Sequence, residues 1–217
     1  LEQIMRDAKR ASNEIGVSII GGHTGYSSGL SRPLVAVTAL GIATDRPPLR
    51  TSGAQVGDHV LVTKGIALEG TAILAKDFED VALRSGLTPQ DLGEARKLMS
   101  EVSVVQEALV LAEQGATSIH DVTRGGVLET LLEIALLSNV GISIDANRVP
   151  IPPIVSQFAS AFQFDPLKMI SSGTLAATVP PERMLYVTDS LREAGLLFAD
   201  VGRFTDGFGV LLLRNDG

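Results

Sequence analysis

The chain has 217 residues, 45% apolar but only 4% aromatic, and its 18 basic and 25 acidic residues leave a net charge of −7. Such a composition supports a sizeable aliphatic core, and the lack of any Lys/Arg cluster argues against a general nucleic-acid or anionic-membrane surface. Cysteine is absent, which removes disulfides, thiolate metal sites and cysteine nucleophiles and suits a reducing cytoplasm, and no apolar run reaches the length of a bilayer span.

Leu1, Ile4, Met5, Ala8, Ala11 and Ile15 form one apolar stripe, which predicts a helix ending at Gly16. The pattern starts without an initiator Met and without a capping residue. The expectation is an N-terminally truncated chain, missing an upstream half-domain rather than a short tail. Residues 17–20 read as a short buried strand running into Gly21-Gly22-His23-Thr24-Gly25. Glycine there permits close backbone approach to a ligand, with His23 and Thr24 as polar ends. The stretch lacks the Gly-Lys-Ser/Thr ending of a phosphate-binding P-loop, so a plain loop with a solvent-facing histidine stands beside the ligand reading. Residues 34–43 predict a second strand, and the Pro-rich, charged stretch 44–53 predicts a linker, with a domain boundary near residue 50. One helix and two strands are too little to fold alone.

A strand over residues 59–64 leads through Gly65 into a helix carrying Leu68, Ala72, Ile73, Leu74 and Ala75. Lys64 lies at that strand's carboxyl end, either as a ligand contact or as a structural lysine. Thr88-Pro89 opens a helical pattern that continues to about residue 113, with a bend allowed within it. Residues 117–120 predict a strand, followed by Asp121-Val122-Thr123-Arg124-Gly125-Gly126-Val127 and an unusually apolar helix expected to be buried on several sides. This stretch places a carboxylate, a hydroxyl, a guanidinium and free helix N–H groups together, the natural seat of an anion. Asp121 could hold Mg²⁺ through oxygen or simply cap the turn. Residues 141–145 predict a strand, the Pro150, Pro152, Pro153 cluster a helix of about ten residues, and residues 174–179 a strand. Pro180-Pro181 opens a further helix to about residue 193. Two final strands, 196–204 and 210–213, are expected to pair as a hairpin through Asp206-Gly207. The mixture predicts an α+β or mixed α/β domain.

Other catalytic sets find little support. His23, His59 and His120 do not have zinc-protease spacing, no Gly-x-Ser-x-Gly turn supports a hydrolase triad, and no dinucleotide fingerprint occurs.

Gly21-Gly22-His23-Thr24 after a strand, followed about a hundred positions later by Asp121-Val122-Thr123-Arg124-Gly125-Gly126-Val127, resembles the aminoimidazole ribonucleotide (AIR) synthase superfamily. That group includes selenophosphate synthetase, thiamine-monophosphate kinase and the hydrogenase maturation factor HypE. Lys64 to Leu74, with Glu69-Gly70-Thr71, and the stretch from Asp165-Pro166-Leu167 to Ser172-Gly173 are similar to the HypE-like branch. The resemblance implies that residues 1–48 are the tail of an N-terminal, ATP-binding and dimer-forming domain, and residues 49–217 a C-terminal α+β domain. ATP and Mg²⁺ are implied as cofactors, with a homodimer and a small-molecule or protein-borne substrate. The implied catalytic set is Asp121, Thr123 and Arg124, with Asp121 also on the metal. The implied nucleotide contacts are Gly21, Gly22, His23, Thr24, Lys64, Glu69, Gly125 and Gly126. His23 stands where an acidic metal-binding residue is frequent in the family. HypE acts through a C-terminal cysteine, whereas this chain ends at Leu213-Arg214-Asn215-Asp216-Gly217 without one. The expectation is therefore a HypE-like relative activating an oxygen of some other amide or acid by phosphorylation, incomplete without its upstream motifs. The alternatives are a kinase or selenophosphate-type enzyme, or a non-catalytic maturation or binding module.

Overall fold

The computed structural model describes residues 1–42 and 47–213. The chain divides into two units, Leu1–Pro47 and Pro48–Gly217.

In the first unit, α1 spans Glu2–Glu14 and buries none of its residues. Residues 17–20 and 34–42, expected as strands, form none. The apolar pattern is present, but Ile20, Leu34, Val37, Leu40 and Ile42 are exposed. A strand exists only through hydrogen bonds to a neighbour, and an isolated pair is marginal even when it forms. Ala43 to Arg46, the end of the second expected strand and the start of the linker, lie outside the described residues, as do Arg214 to Gly217.

The second unit is built on a six-stranded sheet of order β2-β4-β1-β5-β3-β6. Its strands are β1 (His59–Thr63), β2 (Ser118–Val122), β3 (Gly141–Asp145), β4 (Thr174–Val179), β5 (Phe198–Thr205) and β6 (Val210–Leu213). All pairings are antiparallel except β3 with β6. The helices are α2 (Leu68–Asp77), α3 (Glu79–Arg84), α4 (Pro89–Lys97), α5 (Val105–Gln114), α6 (Gly126–Ser138), α7 (Pro153–Phe162) and α8 (Met184–Glu193). On one face of the sheet, Val60, Val62, Ile142, Ile144 and Phe204 pack against Val127, Leu131, Ile134 and Ala135 of α6. On the other, Leu61, Leu175, Ala177 and Val179 meet Leu111 of α5 and Val187 and Leu191 of α8. A third cluster gathers α2, α3, α4 and α7 around Phe158, whose ring stacks on Phe162 at 5.9 Å. The result is the mixed α/β architecture that the alternation of elements predicts.

Three expectations change. The helical pattern from 89 to 113 breaks into α4, a 3₁₀ turn at Leu98–Glu101, and α5. Its apolar residues serve two different clusters, so one straight cylinder could not face both. The final hairpin does not form: β3 lies between β5 and β6, and β6 pairs with β3 in parallel. Ile142 and Ile144 of β3 are themselves almost fully buried there, and that burial outweighs the local turn signal at Asp206-Gly207. Lastly, α6 buries one side only, because Leu132, Leu136 and Leu137 are exposed.

Candidate functional site

Strands β1 and β2 both run antiparallel to β4, so their carboxyl ends fall on one edge of the sheet. Val122 pairs with Thr174, and Val62 with Ala176. The chain leaves β1 at Lys64 and β2 at Thr123, and each exit turns into a helix. Both helix starts meet one strap, residues 165–173. The Gly70 N–H of α2 donates to the Ile170 carbonyl at 3.2 Å, and Gly126 of α6 presses on the Leu167–Met169 backbone.

The turn at 123–126 is closed by the Gly126 N–H donating to the Thr123 carbonyl at 3.2 Å. Gly125 has φ 80° and ψ −6°, the left-handed position of a type II turn. At Gly126 a Cβ would stand 2.5 Å from the Leu167 oxygen, so only glycine lets the strap approach. No side chain of the cap residue closes the α6 N-terminus. The start of α2 differs, since Ser171 Oγ accepts the Ala67 N–H at 2.7 Å and Ile170 accepts that of Gly70. The sequence shows strand, glycine and helix at both places. Of the two, the α2 start is closed by the strap, whereas the α6 start meets only the Glu129 carboxylate of its own first turn.

Arg124 and Asp121 are exposed beside this turn, and Thr123 is half-buried. His120 anchors the strand end. Its Nδ1 lies 2.7 Å from the Asp121 carbonyl oxygen and its Nε2 3.0 Å from Glu133 Oε2 on α6. Two residues invisible to motif reading also bear on the turn: Glu133, and Glu129, whose carboxylate lies where a Cβ on Gly125 would fall. The helix end thus meets one of its own acids, which an incoming anion must displace or share a cation with.

Lys64 behaves differently from its expected part as a nucleotide contact. Its ammonium turns into the protein, 2.8 Å from the buried Glu107 carboxylate. It also donates to the carbonyls of Ser103 (2.5 Å), Glu101 (3.1 Å) and Gly173 (3.2 Å). These contacts engage its three N–H donors and tie the end of β1 to α5 and the strap. Both Lys64 (φ 53°) and Ala67 (φ 59°) are left-handed, so this exit from β1 holds strain that the surrounding contacts stabilise. Beside it lies a cavity of about 450 Å³ walled by Leu68, Pro150, Ile151, Pro152 and Leu197. Glu69, in the first turn of α2, leaves Oε2 buried without a partner.

Gly21, Gly22, His23 and Thr24 belong to the first unit, where they are exposed and outside any helix or strand. Among the described residues no three His, Asp or Glu side chains gather into a metal-ligand set. Mg²⁺ does not need one. It is commonly held by one or two carboxylates together with phosphate oxygens and water, and Asp121 is an exposed carboxylate beside the turn.

The fold and this turn define an AIR-synthase-type domain. Residues 55–212 match the family model for the C-terminal domain of AIR synthase related proteins, and the chain belongs to that family. It is 31% identical over 187 residues to carbamoyl dehydratase HypE of Rhizobium leguminosarum bv. viciae, covering 84% of this chain and 50% of that protein. The fold matches a thiamine-monophosphate kinase from Stenotrophomonas maltophilia K279a with a TM-score of 0.63 and 24% identity, over 76% of this chain and 52% of that one. It also matches a hydrogenase maturation protein HypE in complex with ATP, with a TM-score of 0.52 and 24% identity, over 73% and 45%. The chain spans about half the length of the curated relatives it matches. Among the described residues no helix is long and apolar enough to cross a membrane.

Proposed function

We propose that the chain is the C-terminal portion of a HypE-like, ATP-dependent protein that activates an oxygen of an amide or acid by phosphorylation. The observation that carries this reading is the uncapped α6 N-terminus behind the Thr123–Gly126 turn, with Arg124 and Asp121 exposed beside it. Its support is membership of the AIR synthase related family and the likeness to HypE and thiamine-monophosphate kinase. In this reading the Gly125 amide faces a phosphate, the Gly126 amide expected beside it being engaged by the Thr123 carbonyl, and Arg124 neutralises charge that builds as the phosphoryl group transfers. Asp121 would hold the Mg²⁺ ion through its carboxylate, and the Thr123 hydroxyl would donate to a phosphate oxygen. The ion's contribution when bound is charge neutralisation between phosphates. The acceptor oxygen attacks the γ-phosphorus, the phosphoanhydride bond breaks, and ADP leaves. Gly21, Gly22, His23 and Thr24 contact nucleotide as part of the N-terminal domain of which residues 1–48 are the tail, and that domain forms a homodimer. The protein works in the cytoplasm.

Calorimetric titration with Mg²⁺-ATP tests the reading. The full chain should bind, and Arg124→Ala or Asp121→Asn should weaken binding about tenfold or more, the usual worth of a charge-assisted contact. No binding by the chain joined to its upstream domain would end the proposal. A second reading, a non-catalytic module that docks a partner, draws on the exposed Leu132, Leu136 and Leu137 of α6. It predicts that Arg124→Ala and Asp121→Ala leave cellular function intact.

A further inference from the structure

Past the cover of α5 and α8 the sheet carries a polar, positively charged shelf. Val179 of β4 is fully buried beneath those helices. The row through it continues across the sheet to His59 on β1, Arg203 on β5, Ser143 on β3 and Leu211 on β6. Residues directly opposite one another in a sheet share a face, so this row runs from the core out to exposed Leu211. One carboxylate gathers its cations. Asp200 Oδ2 lies 2.9 Å from His59 Nδ1, 3.1 Å from Arg203 Nη1 and 3.8 Å from Nη2 of Arg148, which ends the 3₁₀ turn Ala146–Arg148. Two guanidiniums on one carboxylate leave a positive charge over even when the imidazole is neutral, in a chain whose net charge is −7. Burial pushes the Asp200 carboxyl's pKa up, yet His59 and Arg203 hold it below the usual range, as an excess of positive charge requires. The donors are not used up. Arg203 spends Nη1 on Asp200 and the Gly202 carbonyl, leaving Nε and Nη2 without a partner among the described residues. Arg148 makes the 3.8 Å ion pair and no hydrogen bond from its side chain. The nearest other acids are engaged elsewhere, Asp145 by Asn147 and Asp58 by Gln55 and Thr117. Asp200 is 18% exposed and the two guanidinium side chains 44% and 52%, so the acid lies deep and the cations reach water.

We propose that Arg148 and Arg203, held together by Asp200, bind a phosphate group at the end of β1 opposite the 123–126 turn. Both guanidiniums reach the same oxygen of Asp200, so one small anion can bridge them. A carboxylate is satisfied by a single guanidinium fork. Two forks from different elements, with the Ser143 hydroxyl next in the row, match the several oxygens and the double charge of a phosphate. The site shares no residue with the turn and does not rest on the proposed function.

NMR of the arginine Nε–H groups in the full chain tests this, with inorganic phosphate, glycerol 3-phosphate and acetate as probes at one ionic strength set with sodium chloride. The readout belongs to Arg148 and Arg203 themselves, so phosphate held at the turn does not enter it. Both phosphates should shift these signals saturably. Tighter binding of inorganic phosphate assigns the site to the free ion, and tighter binding of glycerol 3-phosphate to a phosphate carried on an organic molecule. Arg148→Gln, a change on an exposed turn, should weaken binding about fivefold, a charge-assisted contact discounted for solvent. Asp200→Asn should strengthen it about fivefold, because the competing carboxylate charge is gone while the guanidiniums remain. A purely structural ion-pair network predicts no such gain. Signals unmoved by either phosphate, acetate binding as tightly as phosphate, or an affinity unchanged in Arg148→Gln overturns the inference.

Discussion

At the scale of single residues, electrostatics decides what the turn can hold. Glu129 lies over Gly125 at the positive end of α6. Replacing it with Gln should therefore strengthen binding of Mg²⁺-free ADP about two- to fivefold, the range expected for one charge at a helix end. Calorimetry in EDTA reads this directly, and weaker binding would show that Glu129 does not compete with the anion. A second residue-scale prediction concerns Asp200. Its carboxylate accepts from His59 Nδ1 at 2.9 Å and from Arg203 at 3.0 Å. A register shift between Val60 and Leu61 puts these groups on one face. Burial raises the carboxyl's pKa, but the hydrogen bonds and the charges of His59 and Arg203 outweigh it and hold the group below the usual carboxylate range. The folded pKa is thus lower than the unfolded one. The stability Asp200 contributes is present above about pH 4, the unfolded value, and is lost as pH falls through the folded value. Wild-type thermal midpoints should drop more steeply below pH 4 than those of Asp200→Asn. Parallel curves would refute the linkage.

At the scale of elements, α6 joins the core to the site. Leu131 and Ile134 are fully buried against the sheet, and the same helix begins at the anion seat. Leu131→Ala should cost about 3 kcal/mol in urea unfolding, through lost transfer energy and a residual cavity. Gly126→Ala should cost about 2 kcal/mol and also weaken nucleotide binding, because its Cβ drives the strap away from the turn. An alanine variant of normal stability would mean that the strap yields freely. The motif around Asp121 was legible in the sequence because turn chemistry is local: a strand end, two glycines and an apolar helix define it within nine residues. The fate of Lys64 was not, because Gly173 lies 109 positions away and Ser103 lies 39. No spacing rule foretells that three carbonyls and a glutamate will converge on one ammonium.

At the scale of the whole molecule, the second unit contains all three hydrophobic clusters, with Leu49 its outermost packed residue on the N-terminal side. The first unit buries none of its described residues. A chain starting at Pro48 should therefore unfold in one cooperative step with a thermal midpoint within about 4 °C of the longer chain, a shift worth about 1 kcal/mol or less. A larger loss in calorimetry would show that residues 1–47 contribute to that core.

By itself the sequence determined the alternation of strands and helices, the aliphatic core and the turn that offers an anion its seat. Each of these follows from neighbours within a dozen residues: periodicity, caps and glycine. Tertiary structure alone decided the rest. It inserted β3 between β5 and β6, left 17–20 and 34–42 without strand partners, closed the α2 N-terminus with Ser171 and left the α6 end open. The physical reason is the same in every case. A hydrogen bond or a buried charge is satisfied by whichever group the fold brings within about 3 Å, and that group is seldom near in the chain.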